Sequence, residues 1–223
     1  MKLSPEQVRK VESAVRETEK KTSAEIAGAV IRESNDYARY ELLGAIIVGL
    51  IFFTGLTVFT PSLEAWMQTL TWTYSPWLLV AAIGFSTFLV IAITYFAANL
   101  APIDRWIVPR RVMAEQVRRR ALRQFLEGGV HRTRERNGLL IFVSLLERRI
   151  EIVTDIGIAD RMPTSTWEVV IRELGDGLRR SDLGDALARA IVHCGDILAG
   201  HFPPRPDDTN ELSNEVQILG DQS

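Results

Sequence analysis

Apolar and polar positions follow three different periods along this chain. From Ser4 to about Lys21, Val8, Val11 and Val15 recur at spacings of three and four among arginine, lysine and glutamate, which predicts an amphipathic helix. Ser4, Pro5 and Gln7 are the capping hydroxyl, the first-turn proline and the reciprocal partner of a capping box. Ile26 to Ile31 is an apolar run of strand length, and Leu139 to Leu146 is another. After a turn at Glu147-Arg148, Ile150 and Ile152 with Glu151 between them continue a strand to about Asp155, so the last two strands form an antiparallel hairpin. Helical spacing returns in three places. A basic helix runs from about Arg110 to Glu127 and stops at Gly128-Gly129. A second starts near Thr164 and carries Trp167, Val170, Ile171 and Leu174. A third starts at Ser181, places Leu183, Leu187, Ile191, Cys194 and Leu198 on one face, and ends at Gly200 and Pro203-Pro204.

The third pattern has no polar face. The 59 residues from Leu42 to Leu100 contain a single charged residue, Glu64. Within them, residues 42–60 and 77–98 are uncharged runs of 19 and 22 residues, and about 20 helical residues cross the roughly 30 Å hydrocarbon layer of a bilayer. Two spans forming a hairpin are therefore expected, with Ala45/Gly49 and Ala82/Ser86 as small residues that let helices pack closely. No lysine or arginine occurs between Arg39 and Arg105, whereas eight precede that interval and eighteen end or follow it from Arg105 onward. By the positive-inside rule both termini are cytoplasmic and the loop from Pro61 to Pro76 is external. Trp66, Trp72 and Tyr74 in that loop and Trp77 at its end crowd the outer side, as expected of rings at the headgroup level. Neither span carries an ionisable residue, which argues against a transporter or channel.

One helix and one strand before the hairpin cannot close a core alone. The expected arrangement is an α/β fold, a small mixed sheet sandwiched by helices and interrupted by the two-helix transmembrane hairpin. Residues 1–40 and 101–202 make one discontinuous cytoplasmic domain, 41–100 the hairpin, and 203–223 an acidic C-terminal tail in which Val216 to Leu219 is a candidate edge strand.

The totals hide this organisation. The chain has 223 residues, 26 lysines and arginines, 28 aspartates and glutamates, and a net charge of -2. Between Asp104 and Arg136, ten arginines face four acids, counting both ends. Such a stretch beside a span is expected to lie against anionic membrane lipids, with Arg105, Arg110, Arg111, Arg118 and Arg119 as the lipid-facing basic patch. Nucleic acid is disfavoured as a partner, because these arginines sit beside a span and few aromatic side chains, Trp106 and Phe125, interleave with them. One cysteine excludes a disulfide scaffold, and Cys194 on an apolar helix face reads as a core residue.

The familiar catalytic signatures are absent: no phosphate loop, zinc-binding His-Glu-x-x-His helix or Gly-x-Ser-x-Gly elbow. His131, His193 and His201 are too scattered for a zinc site. Carboxylates are the remaining enzymatic candidates. Asp36 follows the first strand and Asp155 and Asp160 follow the third, so their loops are candidates to gather at one sheet edge and hold a divalent cation such as Ca or Mg, with Glu135 and Asn137 as second contributors. Capping and turn formation are the competing roles for these residues.

Several strings taken together resemble a known family. The Leu3-Ser4 helix start, Thr22-Ser23-Ala24-Glu25-Ile26, Asn137-Gly138-Leu139-Leu140-Ile141-Phe142-Val143-Ser144 and Glu147-Arg148-Arg149-Ile150-Glu151-Ile152-Val153 are similar to a TPM domain. The closer likeness is to its bacterial membrane-protein branch, in which a transmembrane hairpin interrupts the domain. The resemblance extends to about Phe202 and implies a mixed sheet between helices at the bacterial inner membrane. Some family members are reported as acid phosphatases, and others act in membrane-complex repair or as receptor accessories. It therefore implies either a binding, assembly or quality-control factor with a membrane-protein partner or a second copy of itself, or a weak cation-dependent phosphatase. The Gly-Tyr-Gly-Leu-Glu signature of the family is replaced here by Thr154-Asp155-Ile156-Gly157-Ile158-Ala159-Asp160.

Overall fold

A computed structural model of the chain describes residues 3–35, 37–70, 75–99, 108–180, 182–205, 211–213 and 216–219. The chain divides into two compact units, one made of Met1–Asn35 with Arg111–Ser223, the other of Asp36–Arg110. The first unit is thus assembled from both sides of the apolar region.

In the first unit, helix α1 (Pro5–Glu19) opens with the capping box its sequence predicts. Ser4 N–H donates to Gln7 Oε1 at 2.9 Å, and Gln7 N–H donates to Ser4 Oγ at 3.2 Å. Strand β1 (Glu25–Ile31) follows. Across the interruption come the basic helix α5 (Arg110–Glu127), strands β2 (Gly138–Ser144) and β3 (Arg149–Thr154), a helical turn α6 (Ile156–Ala159), and helices α7 (Glu168–Arg179) and α8 (Leu183–Ala199). A three-residue strand β4 (Gln217–Leu219) lies near the end of the chain.

The four strands form one mixed sheet in the order β3-β2-β1-β4. β1 is parallel to β2, with Glu25 opposite Gly138 and Ile31 opposite Ser144, and β2 is antiparallel to β3. β4 runs parallel to β1 on its free edge, pairing Ala29 to Ile31 with Gln217 to Leu219. Every residue of β2 is buried, as its unbroken apolar run requires of a strand covered on both faces.

Alternation along the strands sorts the core into two layers. Ile26, Val30, Leu139, Ile141 and Val143 pack with α1, α7 and α8 through Val11, Val15, Val170, Leu174, Leu187, Ile191 and Leu198. Ala29, Ile31, Leu140 and Phe142 face the other way, onto Val117, Ala121 and Phe125 of α5 and onto Val130. The sandwich of a small mixed sheet between helices is therefore the observed fold. At the α1–α8 contact the backbones approach closely: a Cβ added at Gly195 would overlap the γ-methyl of Thr18 and lie 3.2 Å from its Cβ.

The second unit holds helices α2 (Ala38–Val58), α3 (Thr60–Leu70) and α4 (Pro76–Asn99). Two helices, Ala38–Val58 and Pro76–Ala98, are long and apolar enough to cross a membrane. They pack on each other through small residues of α2: Ala45 and Gly49 are buried, and a Cβ on Gly49 would overlap the side chain of Ile91. Of the second expected pair, Ala82 is exposed and Ser86 half-buried. The segment expected to be a loop from Pro61 contains helix α3, for which Pro61 suits the first turn and Leu63, Glu64, Ala65, Met67 and Gln68 are good helix formers. Trp72, Tyr74 and most of the link to α5 lie outside the described residues.

Candidate functional site

The carboxylate expectation depends on where strands end. β1 finishes beside Ser144 and Arg149, whereas β3 finishes beside Leu139, at the other end of the sheet. Because β1 and β3 run in opposite directions, the segments that follow them leave from opposite ends, and a shared edge for both loops is not formed by the strands themselves. Asp36 lies outside the described residues.

Asp155 caps α6. Its Oδ1 accepts from Ile156 N–H at 2.7 Å, and its own N–H donates to Gly138 O at 2.9 Å, extending the β2–β3 ladder. Oδ2 of Asp155 is buried and has no hydrogen-bond partner. Asp160 closes the same turn through its N–H to Ile156 O at 2.9 Å, and its side chain is exposed. Glu135 pairs with the guanidinium of Arg205. Buried Asn137 donates from Nδ2 to Ser23 O at 2.5 Å and from its backbone N–H to Thr133 Oγ1 at 3.1 Å. Asn137 therefore ties the chain entering β1 to the chain entering β2. Among the described residues no group of three or more His, Cys, Asp or Glu side chains is placed to hold a metal ion.

At the opposite end of the sheet lies a polar group that the sequence reading did not single out. Ser34 Oγ donates to Ser144 Oγ at 2.9 Å, Ser144 Oγ donates to Glu147 Oε2, and Glu147 Oε1 accepts from Ser34 N–H at 2.9 Å. Ser144 is fully buried and Glu147 is 7% exposed. Burial of a carboxylate is tolerated only when its oxygens are satisfied, and here they hold the exit of β1 to the β2–β3 turn. Glu147 sits in the turn the sequence predicts, where solvent exposure is the usual state, so no pattern could have marked it as buried.

The remaining candidates resolve plainly. Cys194 is fully buried, and burial pushes its thiol up to about 12, a core residue with no reactive character. His193 Nδ1 lies 3.0 Å from Glu173 Oε2, a link between α8 and α7. Arg110, Arg111, Arg118 and Arg119 of α5 are exposed, and Arg119 pairs with Glu115 one turn earlier. Arg105 lies outside the described residues. Glu151 on β3 has its carboxyl held above the ordinary range by burial, an effect that Arg118 and Arg149 oppose.

With this architecture in place, comparison with known proteins points to a class. The family model described as the TPM domain matches residues 105–197. The match begins just before α5 and ends within α8, and it omits α1 and β1, which the hairpin separates from the rest. No curated protein matches the chain. Among solved structures, the fold is similar to the NMR structure of the BA42 protein from the psychrophilic bacterium Bizionia argentinensis, with a TM-score of 0.57 and 18% identity, covering 98% of this chain and 97% of that one.

Proposed function

We propose that this chain is a two-span membrane protein whose TPM domain faces the cytoplasm and serves there as a binding, assembly or quality-control factor for a membrane-protein partner. The observation that carries the reading is the surface of the second unit. Ile51, Val58, Phe85 and Phe88 are each 69% exposed on helices long enough to span, and lipid is the solvent in which such side chains need no covering. The arginine asymmetry supports cytoplasmic termini, and the resemblance supports the bacterial inner membrane. A binding role fits a domain whose polar groups at both sheet ends are mostly engaged in holding strands and turns together. Two measurements test it. A reporter fused to the C terminus should read as cytoplasmic; an external reading removes the topology. Native gels of membranes from a deletion strain should show at least one complex lost or altered, and an unchanged set of complexes overturns the assembly role.

The buried, unpartnered Oδ2 of Asp155 favours one second reading, a weak phosphomonoester hydrolase dependent on a divalent cation such as Ca or Mg. Asp155 and Asp160 are its candidate ligands; Asp36 follows a strand that ends at the other side of the sheet and lies outside the described residues. Replacing Asp155 and Asp160 with asparagine should abolish both cation-induced thermal stabilisation and turnover; unchanged values remove this reading.

A further inference from the structure

Helix α5 exposes two leucines that its packing does not explain. Met113, Val117, Ala121, Gln124 and Phe125 make its buried side. On the solvent side Arg111, Arg118, Leu122 and Leu126 lie on one stripe of a 3.6-residue helix, which exposed Glu115, paired with Arg119, shares. Arg119 and Arg123 flank that stripe. All six of these arginines and leucines are exposed, Leu122 by 43% and Leu126 by 56%, and neither leucine belongs to a core cluster. Arg120 is turned away from the stripe, only 11% exposed and bonded to Gln124 and Glu127.

A face that combines several arginines with exposed leucines has the composition of a helix that lies in the plane of a membrane interface. Arginine stems pack alongside apolar surface while their guanidinium groups reach phosphate oxygens. Free phosphate or nucleic acid would use the arginines and leave the leucines in water. Only ten residues join Asn99 at the end of α4 to Arg110, and fully extended they reach about 35 Å. The tether therefore keeps the start of α5 close to any bilayer that holds α4.

We infer that the outer face of α5 is a membrane-contact surface, with Leu122 and Leu126 entering the acyl boundary of an anionic leaflet and Arg111, Arg118, Arg119 and Arg123 engaging its phosphates. The inference deepens the lipid expectation for the arginine patch and rests on the membrane placement of the hairpin. It adds the two leucines to the contact and leaves Arg120 out of it.

The test uses the full chain in lipid nanodiscs carrying acyl-chain quenchers, with an environment-sensitive fluorophore on one introduced cysteine at a time. The sites are L126C on the proposed surface, F88C in the apolar hairpin and V169C on α7, where Val169 is 49% exposed; Cys194 is buried and stays unlabelled. In phosphatidylglycerol-rich discs the labels at 126 and 88 should both be quenched, and the label at 169 should not. Replacing Arg111, Arg118, Arg119 and Arg123 with alanine, or using phosphatidylcholine alone, should remove quenching at 126 and leave it at 88. If 126 behaves like 169 while 88 is quenched, the contact is wrong although the hairpin is membrane-embedded. If 88 is not quenched, the membrane placement fails and the contact with it. Equal quenching at 126 in both lipids, unaffected by loss of the arginines, overturns the anionic recognition.

Discussion

The close approach of α1 and α8 gives the sharpest test of the packing. In Gly195→Ala the new methyl would overlap the γ-methyl of Thr18, which is 2% exposed and β-branched. A β-branched side chain within a helix has little rotamer freedom to swing away, so α1 itself must shift. Overpacking of this kind costs up to about 3 kcal/mol. Replacing a mid-helix glycine with alanine also gains about 1 kcal/mol in helix propensity, which leaves a net loss of about 2 kcal/mol. At about 2–4 °C per kcal/mol for a domain of this size, the melting temperature should fall by about 4–8 °C. The assay is thermal unfolding of the purified full chain, followed by circular dichroism alongside Thr18→Ser and the double variant. Thr18→Ser removes the obstructing methyl, so in that background Gly195→Ala should become neutral or stabilising. A reversal of sign identifies the contact itself, because two sites without contact would contribute additively. Equal destabilisation in both backgrounds refutes the argument, and so does a Gly195→Ala chain that melts with the wild type.

Three further outcomes follow from the site geometry. Glu147→Ala leaves the half-buried Ser34 N–H without its acceptor and the buried Ser144 hydroxyl with Ser34 Oγ alone, and should cost about 1–3 kcal/mol, with Glu147→Gln costing less, measured as denaturant midpoints. For Glu151 the folded-state value lies above the ordinary 4.5, so folded and unfolded chains are both protonated well below 4.5 and the penalty develops as pH rises through that value toward the folded one. Glu151→Gln should therefore be more stable than wild type at pH 7 and lose that advantage in acid, and Arg118→Ala should push the carboxyl further up; a pH series of melting temperatures reads both. Cys194, with its thiol pushed up to about 12, should resist alkylation in the folded chain and react only on unfolding, so that labelling at pH 8 follows denaturation.

The elements with a clear period were legible in the sequence. The basic helix was expected from about Arg110 to Glu127 and occupies those residues; the capping box starts α1 where Ser4 places it; the antiparallel hairpin has the expected turn; and the edge strand expected over Val216 to Leu219 forms from Gln217 to Leu219. These features are written locally, in spacing, caps and turn residues. Helix α3 was missed because a segment of mixed polarity between two apolar runs shows neither period. The premise that the carboxylate loops share one sheet edge belongs to a different level. It needed the relative direction of β1 and β3, and β1 is parallel to β2 through a pairing that no local pattern encodes. The Ser34–Ser144–Glu147 group was invisible for the same reason, since Ser34 and Ser144 meet only once that register is set. Leu122 and Leu126 were in plain view as apolar residues of an arginine-rich helix, but their exposure depends on which side of α5 the sheet takes.

The pairing of Glu25 with Gly138 joins residues 113 positions apart, and the whole apolar hairpin lies between them. During synthesis β1 must wait for both apolar helices to leave the ribosome before its partner strand exists. If only one of those helices inserted across the bilayer, β1 and β2 would be delivered to different compartments and could never meet. β2, buried along its entire length in the finished sheet, would then remain uncovered and adhesive. In the proposed two-span topology, completion of the sheet would thus report that the hairpin has crossed and returned, and a chain with faulty insertion would expose the segment by which proteolysis can find it.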